Sequence, residues 1–434
     1  MVYTKFKALK GANSLRTFLA VAFEQNSWQK FHLSNKVLAD LLPELPLLRV
    51  LSLSQLSISE VPEFISILKH LRYLNFSRTK ITHLPDNVCD LYNLQTLIIS
   101  GCESLEKLPE SFTKLKNLRH FDMRDTPLLK KMPLGIGELK SLRTLSKIVI
   151  GGDNGFSITR LKDLKDLQGK ISFQGLDKVQ SRMQAQEVKL SHRRLSELEV
   201  EWSDVFDNSR KEVVEQEVLN AMKPHNENLK SLGIVSYGGT EFPSWVGDPS
   251  FHRLAKVTLK GCKKCTSLPL LGQLPLLKKL FIEGMDEVKV VGLEFLRTTG
   301  LAFPSLEILR FEDMKGWEAW STNNNGVLVD TTFPCLQELD IKGCPNLVKV
   351  SVEALPSLRS LIISGCDHEV LRSLVCVASP VTKLEISCIS GLNDQVWGGV
   401  IEYLWAVEEI SIFECNEIRY LWESEAEASK VLVN

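Results

Sequence analysis

The most conspicuous candidate for chemistry is the pair Cys262-Lys-Lys-Cys265. Two cysteines at this spacing can hold zinc when a second pair of Cys or His residues completes the site. The next cysteine is Cys335, and His252 precedes the motif, so no second pair follows at a suitable distance. Phase indicates another role, because five cysteines lie eight residues after the first apolar position of a repeated phrase: Cys102, Cys262, Cys344, Cys366 and Cys415.

That position is the Asn/Cys position of leucine-rich repeats, where a small side chain turns inward at the end of a strand. We therefore predict a structural ladder of thiols that hydrogen-bond to neighbouring backbone. Cys265 has a different phase, and we expect it to be a partly buried thiol outside the ladder. The cysteines thus predict structure and no metal site.

Other catalytic and cofactor motifs are weak or missing. Gly135-Ile-Gly137-Glu-Leu-Lys140-Ser141 approaches a phosphate-binding loop, but Leu139 stands where that loop requires glycine. The sequence contains neither G-x-S-x-G nor H-E-x-x-H. The eight histidines are scattered. We therefore expect a chain that is not an enzyme and that needs no cofactor and no metal.

The repeated phrase is L-x-x-L-x-L, and its alternation predicts a short strand with one buried face. It begins at Leu48, Leu71, Leu94, Leu118 and Leu142, at spacings of 23, 23, 24 and 24 residues, inside the range of leucine-rich repeats. An L-P or V-P step follows each strand, and we expect a short helix or helical turn after it. The phrase resumes at Leu229, Leu254, Leu277, Leu306, Leu336, Leu358, Val381 and Val407.

These features predict an α/β repeat fold, a leucine-rich-repeat solenoid. Such a horseshoe has a parallel β-sheet on its concave face and irregular or short helical segments on its convex side. The predicted segments are a degenerate N-terminal cap (1–47), regular repeats (48–150), irregular repeats with a helical insertion (151–228), C-terminal repeats (229–422) and a tail (423–434).

Two helices are predicted outside the regular repeats. Residues 35–42 have helical spacing and end at Pro43. Residues 209–222 fit an amphipathic helix. Its predicted apolar face comprises Val213, Val214, Val218 and Met222, and its predicted polar positions are Arg210, Lys211, Glu212 and Glu215.

Composition narrows the possible partners. The net charge is −1, so no overall positive field favours nucleic acid or an anionic membrane. The N-terminus has no continuous apolar core typical of a signal peptide. No window reaches the roughly 18 apolar residues of a membrane span. We therefore expect a cytoplasmic protein that has no membrane span, binds other proteins and does not bind nucleic acid.

The strand positions that do not enter the core are predicted to face a partner. Ser52, Asn75, Asp122 and Asp340 belong to this exposed set. Arginines recur at one phase in the early repeats, which suits an acidic protein surface. The residues predicted to bind partners are Arg49, Arg72, Tyr73, Arg119, His120, Arg124, Arg143, Lys256, Lys278, Lys279, Arg310 and Arg359.

Four segments carry a resemblance: 132–146 (MPLGIGELKSLRTLS), 265–280 (CTSLPLLGQLPLLKKL), 48–54 and 70–77. They closely resemble the repeat domain of plant intracellular disease-resistance proteins of the coiled-coil, nucleotide-binding, leucine-rich-repeat type. The coiled coil and the nucleotide-binding switch domain are absent from this sequence. The resemblance implies recognition of a pathogen effector or a guarded host protein. It also implies that the early repeats dock on the switch domain, in cis or in trans, and restrain it.

An alternative is an extracellular leucine-rich-repeat receptor ectodomain or enzyme inhibitor. That class predicts a signal peptide, several glycosylation sites, paired capping cysteines and an L-x-G-x-I-P phrase, none of which we find. A ubiquitin-ligase adaptor would need an F-box segment, for which 1–47 is a poor candidate.

Overall fold

The computed structural model describes residues 12–20, 35–152, 154–207, 210–296, 301–322, 332–378 and 380–421. The chain forms two compact units, Met1–Ser196 and Glu197–Asn434, and the division falls inside the predicted irregular segment 151–228. The predicted tail 423–434 and much of the predicted cap 1–47 lie outside the described residues.

Short parallel strands, one per repeat, form the first unit. Strands β1 to β6 make one sheet in chain order, and β7 pairs with β8 in parallel. Leu51, Leu74, Leu97 and Phe121 are registered partners and are fully buried. The strands are β1 (Thr17–Leu19), β2 (Val50–Ser52), β3 (Tyr73–Asn75), β4 (Thr96–Ile98), β5 (His120–Asp122), β6 (Thr144–Leu145), β7 (Lys147–Val149) and β8 (Gly169–Gln174).

The return legs of the first unit contain short 3-10 helices. Four of them directly follow a proline, because the fixed φ of proline starts the turn in extended backbone; Pro62, for example, has φ −61° and ψ 136°. The predicted turn after each L-P or V-P step is thus confirmed. These helices are Glu63–Ile67, Asp86–Asp90, Glu110–Lys114 and Leu134–Glu138, with further ones at Leu42–Glu44, Ile158–Asp163, Leu176–Lys178 and Leu190–His192; the α-helices are α1 (Asn35–Leu41) and α2 (Arg182–Gln186).

The second unit has longer strands and two parallel sheets. Its main sheet contains β9, β10, β11, β12, β14, β16, β18, β19 and β20 in that order, and β13, β15 and β17 form a separate sheet that the sequence did not predict. The strands are β9 (Leu195–Glu201), β10 (Ser231–Val235), β11 (Lys256–Lys260), β12 (Lys279–Glu283), β13 (Val290–Val291), β14 (Ile308–Glu312), β15 (Ala319–Ser321), β16 (Glu338–Lys342), β17 (Lys349–Ser351), β18 (Ser360–Ser364), β19 (Lys383–Ser387) and β20 (Glu409–Phe413). The helices are α3 (Glu212–Ala221), α4 (His368–Val377) and α5 (Asp394–Ile401), with 3-10 turns at Ser244–Gly247 and Leu271–Gln273.

Many of the strands are followed by a residue whose backbone lies in the left-handed region. The φ values run from 50° to 71°, a region that costs a side-chain-bearing residue energy and costs glycine little. This turn redirects the chain from the sheet into the return leg. The residues are Gln55, Arg78, Gly101 and Asp125 in the first unit and Ser236, Gly261, Gly284, Asp313, Gly343, Gly365, Cys388 and Glu414 in the second.

At five of these turns the next residue is a ladder cysteine. Cys102 is fully buried, and its thiol donates to Phe76 O at 3.1 Å. Cys366 donates to Ser364 O at 3.3 Å. The predicted structural ladder is confirmed at these positions. Cys265 was predicted to be partly buried, but its thiol is fully buried. It donates to Gly239 O at 3.1 Å.

Helix α3 confirms the predicted insertion, but its buried face differs from the prediction. Val213 is 68% exposed, whereas Leu219 is fully buried together with Val218 and Met222. The side chains of Arg210 and Glu215, predicted as surface positions, are 3% and 5% exposed and form an ion pair. The predicted spacing of apolar residues was correct for the last two turns of α3. Arg210 and Glu215 can enter the interior because each neutralises the charge of the other.

Candidate protein-binding surface

Five exposed arginines of the first unit lie in register beside the sheet, and we call them the arginine row. Each main-chain carbonyl accepts from the backbone of the next repeat: Arg16 O from Arg49 N (2.7 Å), Arg49 O from Arg72 N (2.8 Å) and Arg119 O from Arg143 N (2.8 Å). Between Arg72 and Arg119 the row contains Gln95, whose carbonyl accepts from Arg119 N at 2.8 Å.

The repeat phrase explains this alignment. Each arginine follows the first leucine of its repeat, such as Leu48 or Leu71, which is fully buried. The next residue is therefore exposed, just before the strand begins at Val50 or Tyr73. Adjacent parallel strands lie about 4.8 Å apart, so successive side chains form one line. The row borders the sheet. The sequence pattern had suggested instead that these arginines lie within the strands.

The row retains its positive charge. In the described parts of the chain, no carboxylate lies within 4.0 Å of the guanidinium of Arg16, Arg49, Arg72, Arg119 or Arg143. Arg16 was not among the predicted binding residues, although it follows Leu15 at the same phase. The structure thus adds one cation to the four that the sequence predicted.

Tyr73 and His120 lie in the neighbouring column, in register with Thr96. His120 Nδ1 lies 3.1 Å from Thr144 Oγ1. Partial burial, followed by the charges of Arg143 and Arg119, lowers the pKa of His120. His120 is therefore neutral at pH 7 and adds hydrogen-bonding capacity without charge.

Arg124 does not contribute a free charge to this surface. Its guanidinium binds both carboxylate oxygens of Asp122, at 2.9 and 2.6 Å. Burial tends to raise the pKa of Asp122, but the hydrogen bonds and charge of Arg124 outweigh it and the pKa is lowered. Arg124 is thus exposed but paired, and its predicted role in binding a partner stays a prediction. Ser52 was also predicted to be exposed and is buried.

In the second unit, neighbouring repeats neutralise two of the five predicted cations. Lys278 Nζ lies 2.6 Å from Glu307 Oε1, and Arg310 Nε lies 2.8 Å from Asp340 Oδ2. Asp340 was predicted to be exposed but is buried. Burial raises the pKa of Asp340, and the charge of Arg310 opposes that shift.

Phe281 is the aromatic centre of this second surface. Lys256 Nζ lies 5.3 Å from the ring centroid and Arg310 Cζ lies 5.4 Å from it, within cation–π range. Lys279 and Arg359, also predicted to bind a partner, are exposed. This surface therefore combines an aromatic ring with partly compensated charge, in contrast to the arginine row.

Similarity to known proteins agrees with this geometry. The R13L1/DRL21 leucine-rich-repeat family model matches residues 158–285, and the general leucine-rich-repeat model matches 93–115. A disease resistance protein of Arabidopsis thaliana is 44% identical in an alignment of 372 positions that covers 83% of this chain. The chain is a leucine-rich-repeat region of the plant disease-resistance type.

Other relatives of these disease-resistance repeats show similar identity. The protein named disease resistance RPP13-like protein 1 of Arabidopsis thaliana is 42% identical over 83% of this chain. Disease resistance protein RGA2 of Solanum bulbocastanum is 35% identical over 75% of it. The chain spans only 26%, 35% and 34% of the three relatives. Among solved structures, the leucine-rich-repeat protein LIC12759 of Leptospira interrogans aligns over 93% of this chain and 97% of its own, with 18% identity and a TM-score of 0.39.

In the described part of these repeats, no helix is long and apolar enough to cross a membrane.

Proposed function

We propose that this chain is the recognition module of a plant innate immune receptor. In this proposal the arginine row docks on an acidic surface of a nucleotide-binding switch domain, in cis or in trans, and restrains it. The chain acts in the cytoplasm and has no enzymatic activity of its own. The supporting observation is the row itself: five exposed arginines whose backbones are aligned and whose guanidinium groups have no carboxylate within 4.0 Å in the described residues.

Uncompensated charge favours this surface over the others as the docking site. A single exposed ion pair contributes only about 0–1 kcal/mol. Five aligned cations act together, because complementary potentials accelerate association and suppress wrong partners. Arginine also binds carboxylates in a bidentate manner. The row therefore suits a partner that presents aspartate and glutamate side chains in a line.

The second unit suits a different task in the same receptor. Two of its five predicted cations, Lys278 and Arg310, are paired with Glu307 and Asp340, so its positive charge is partly compensated. The partly exposed ring of Phe281 offers apolar contact on the sheet face. We propose that this face recognises the pathogen effector or guarded host protein, mainly through shape and aromatic contact.

The docking proposal can be tested by charge reversal. The variant Arg49→Glu/Arg72→Glu/Arg119→Glu should weaken binding to a separately expressed nucleotide-binding domain of a receptor of this class by about 10- to 100-fold. The affinity can be measured by microscale thermophoresis. Arg143 is left intact, since it also borders a cavity described below.

A matched control separates local docking from net charge. The variant Lys80→Glu/Lys107→Glu/Lys131→Glu changes the charge by the same amount at exposed lysines beyond the strand ends. It should bind the nucleotide-binding domain within about twofold of the unmodified chain. Equal losses in both triple variants would show that the row has no special role.

A further inference from the structure

A cavity of about 360 Å³ opens at the Arg143 end of the arginine row. Its lining includes Arg143, Lys165, Asp166, His192, Arg193 and Arg194, and we call it the basic pocket. Gln168 N donates to Arg143 O at 2.8 Å, and Gly169 N donates to Arg194 O at 3.0 Å. Because Gln168 and Gly169 are consecutive, these two bonds hold the backbones of Arg143 and Arg194 on either side of this dipeptide.

Arg193 places a buried positive charge beside the basic pocket. The residue is 4% exposed, and its guanidinium donates to three main-chain carbonyls: Val188 O at 2.9 Å, Leu161 O at 2.8 Å and Leu164 O. In the described chain, no carboxylate lies within 4.0 Å of it. Buried charges are usually paired with an opposite charge, and here only carbonyl dipoles serve that purpose.

The rest of the lining has the same sign. Arg143, Lys165 and Arg194 are exposed, and none has a carboxylate within 4.0 Å among the described residues. Asp166 is the single acidic residue of the lining, so four cations against one anion give a net charge of +3 when the histidine is left out of the count. A small anion in the cavity would supply the missing counter-charge.

We propose that the basic pocket binds a small molecule that carries phosphate groups. Arginine matches phosphate oxygens through its planar fork of donors, and the volume lies in the usual range for small-molecule sites. Arg193 is held by three carbonyls, so the position of its charge is fixed before a ligand binds. This inference rests on the cavity and does not require that the row docks on a switch domain.

Inorganic pyrophosphate is a suitable probe for isothermal titration calorimetry on the whole chain. Saturable binding is expected, at constant ionic strength set with sodium chloride. Arg194→Gln/Lys165→Gln should weaken it by at least about tenfold, whereas Lys107→Gln/Lys131→Gln should leave it unchanged. Both pocket substitutions are at exposed side chains, so the fold is retained.

Three outcomes would overturn the proposal. These are no saturable binding of pyrophosphate, equal binding by the pocket variant, and tighter binding of a phosphoserine peptide, which would indicate a protein ligand. The charge-reversed variant Arg49→Glu/Arg72→Glu/Arg119→Glu should still bind pyrophosphate within about threefold, because none of its substitutions lines the cavity. Loss of docking and loss of anion binding can therefore be told apart.

Discussion

Arg210 and Glu215 form a bidentate ion pair in the interior of the second unit. Arg210 Nε lies 2.5 Å from Glu215 Oε1, and Nη2 lies 2.6 Å from Oε2. The pair also binds backbone of the strand-to-turn segment after β10, because Glu215 accepts from Gly238 N at 2.8 Å and Arg210 donates to Ser236 O at 2.7 Å. It therefore fastens the start of helix α3 to the repeat array.

Glu215→Gln should destabilise the second unit. The substitution leaves the guanidinium of Arg210 buried without its counter-charge, which costs about 3–5 kcal/mol. Urea unfolding followed by tryptophan fluorescence measures the loss. Glu138→Gln is the control, since it breaks the exposed pair with Lys116 (3.6 Å, 63% and 64% exposed side chains) and should cost under about 1 kcal/mol. Equal unfolding midpoints for the two variants would contradict a structural role for the buried pair.

At the left-handed turns, introducing a glycine and removing one should have opposite effects on stability. Asp125 has φ 53°, so Asp125→Gly should stabilise the chain by about 0.5–1 kcal/mol. Gly343→Ala should destabilise it, because a Cβ would lie 2.5 Å from Asp313 Oδ1 at φ 63°. Thermal unfolding of both variants measures the changes. An increase in Tm for Gly343→Ala would contradict the conformational requirement.

The cysteines should divide into two classes in thiol labelling. Cys335, Cys376 and Cys388 are exposed and should react in the native protein. Cys89 and Cys102 should resist; burial raises the pKa of Cys89 to about 11, and only the thiolate is nucleophilic. Raising the pH from 7 to 9 should therefore accelerate only the exposed class. Mass spectrometry after iodoacetamide treatment assigns each site, and rapid native labelling of Cys102 would contradict the buried ladder.

His120 should report on the electrostatic potential of the arginine row. Its pKa is lowered by partial burial and by Arg143 and Arg119, so Arg119→Gln and Arg143→Gln should each raise it. Because the folded state binds this proton less readily than the unfolded state, the stability falls as the pH drops below the unfolded pKa of about 6.5. NMR titration of the imidazole measures the shift. Lys107→Gln, a change outside the row, should leave the His120 pKa in place.

The repeat phase made much of this fold predictable. The spacing from Leu48 to Leu142 located strands β2 to β6, and the arginine that follows four of these first leucines was correctly expected to be exposed. Periodicity is sufficient there because burial in a repeat depends on position within the phrase. The ladder position of Cys102 followed from the same rule.

Charge pairing was not predictable in the same way. Whether Arg124 is free depends on the rotamer it adopts beside Asp122, and Arg210 enters the core only because Glu215 accompanies it. The environment of Arg193 is built from Leu161, Leu164 and Val188, which belong to separate segments of the chain. Single-sequence periodicity contains no information about such three-dimensional neighbours.

The most direct test of the docking account is the salt dependence of binding to the nucleotide-binding domain. The Kd of the unmodified chain should rise steeply between 50 and 300 mM sodium chloride, because exposed charges are screened over about a Debye length. Arg49→Glu/Arg72→Glu/Arg119→Glu should bind weakly with a nearly flat dependence, whereas the lysine control should follow the unmodified chain. A triple-arginine variant with the affinity and salt dependence of the unmodified chain would contradict the account.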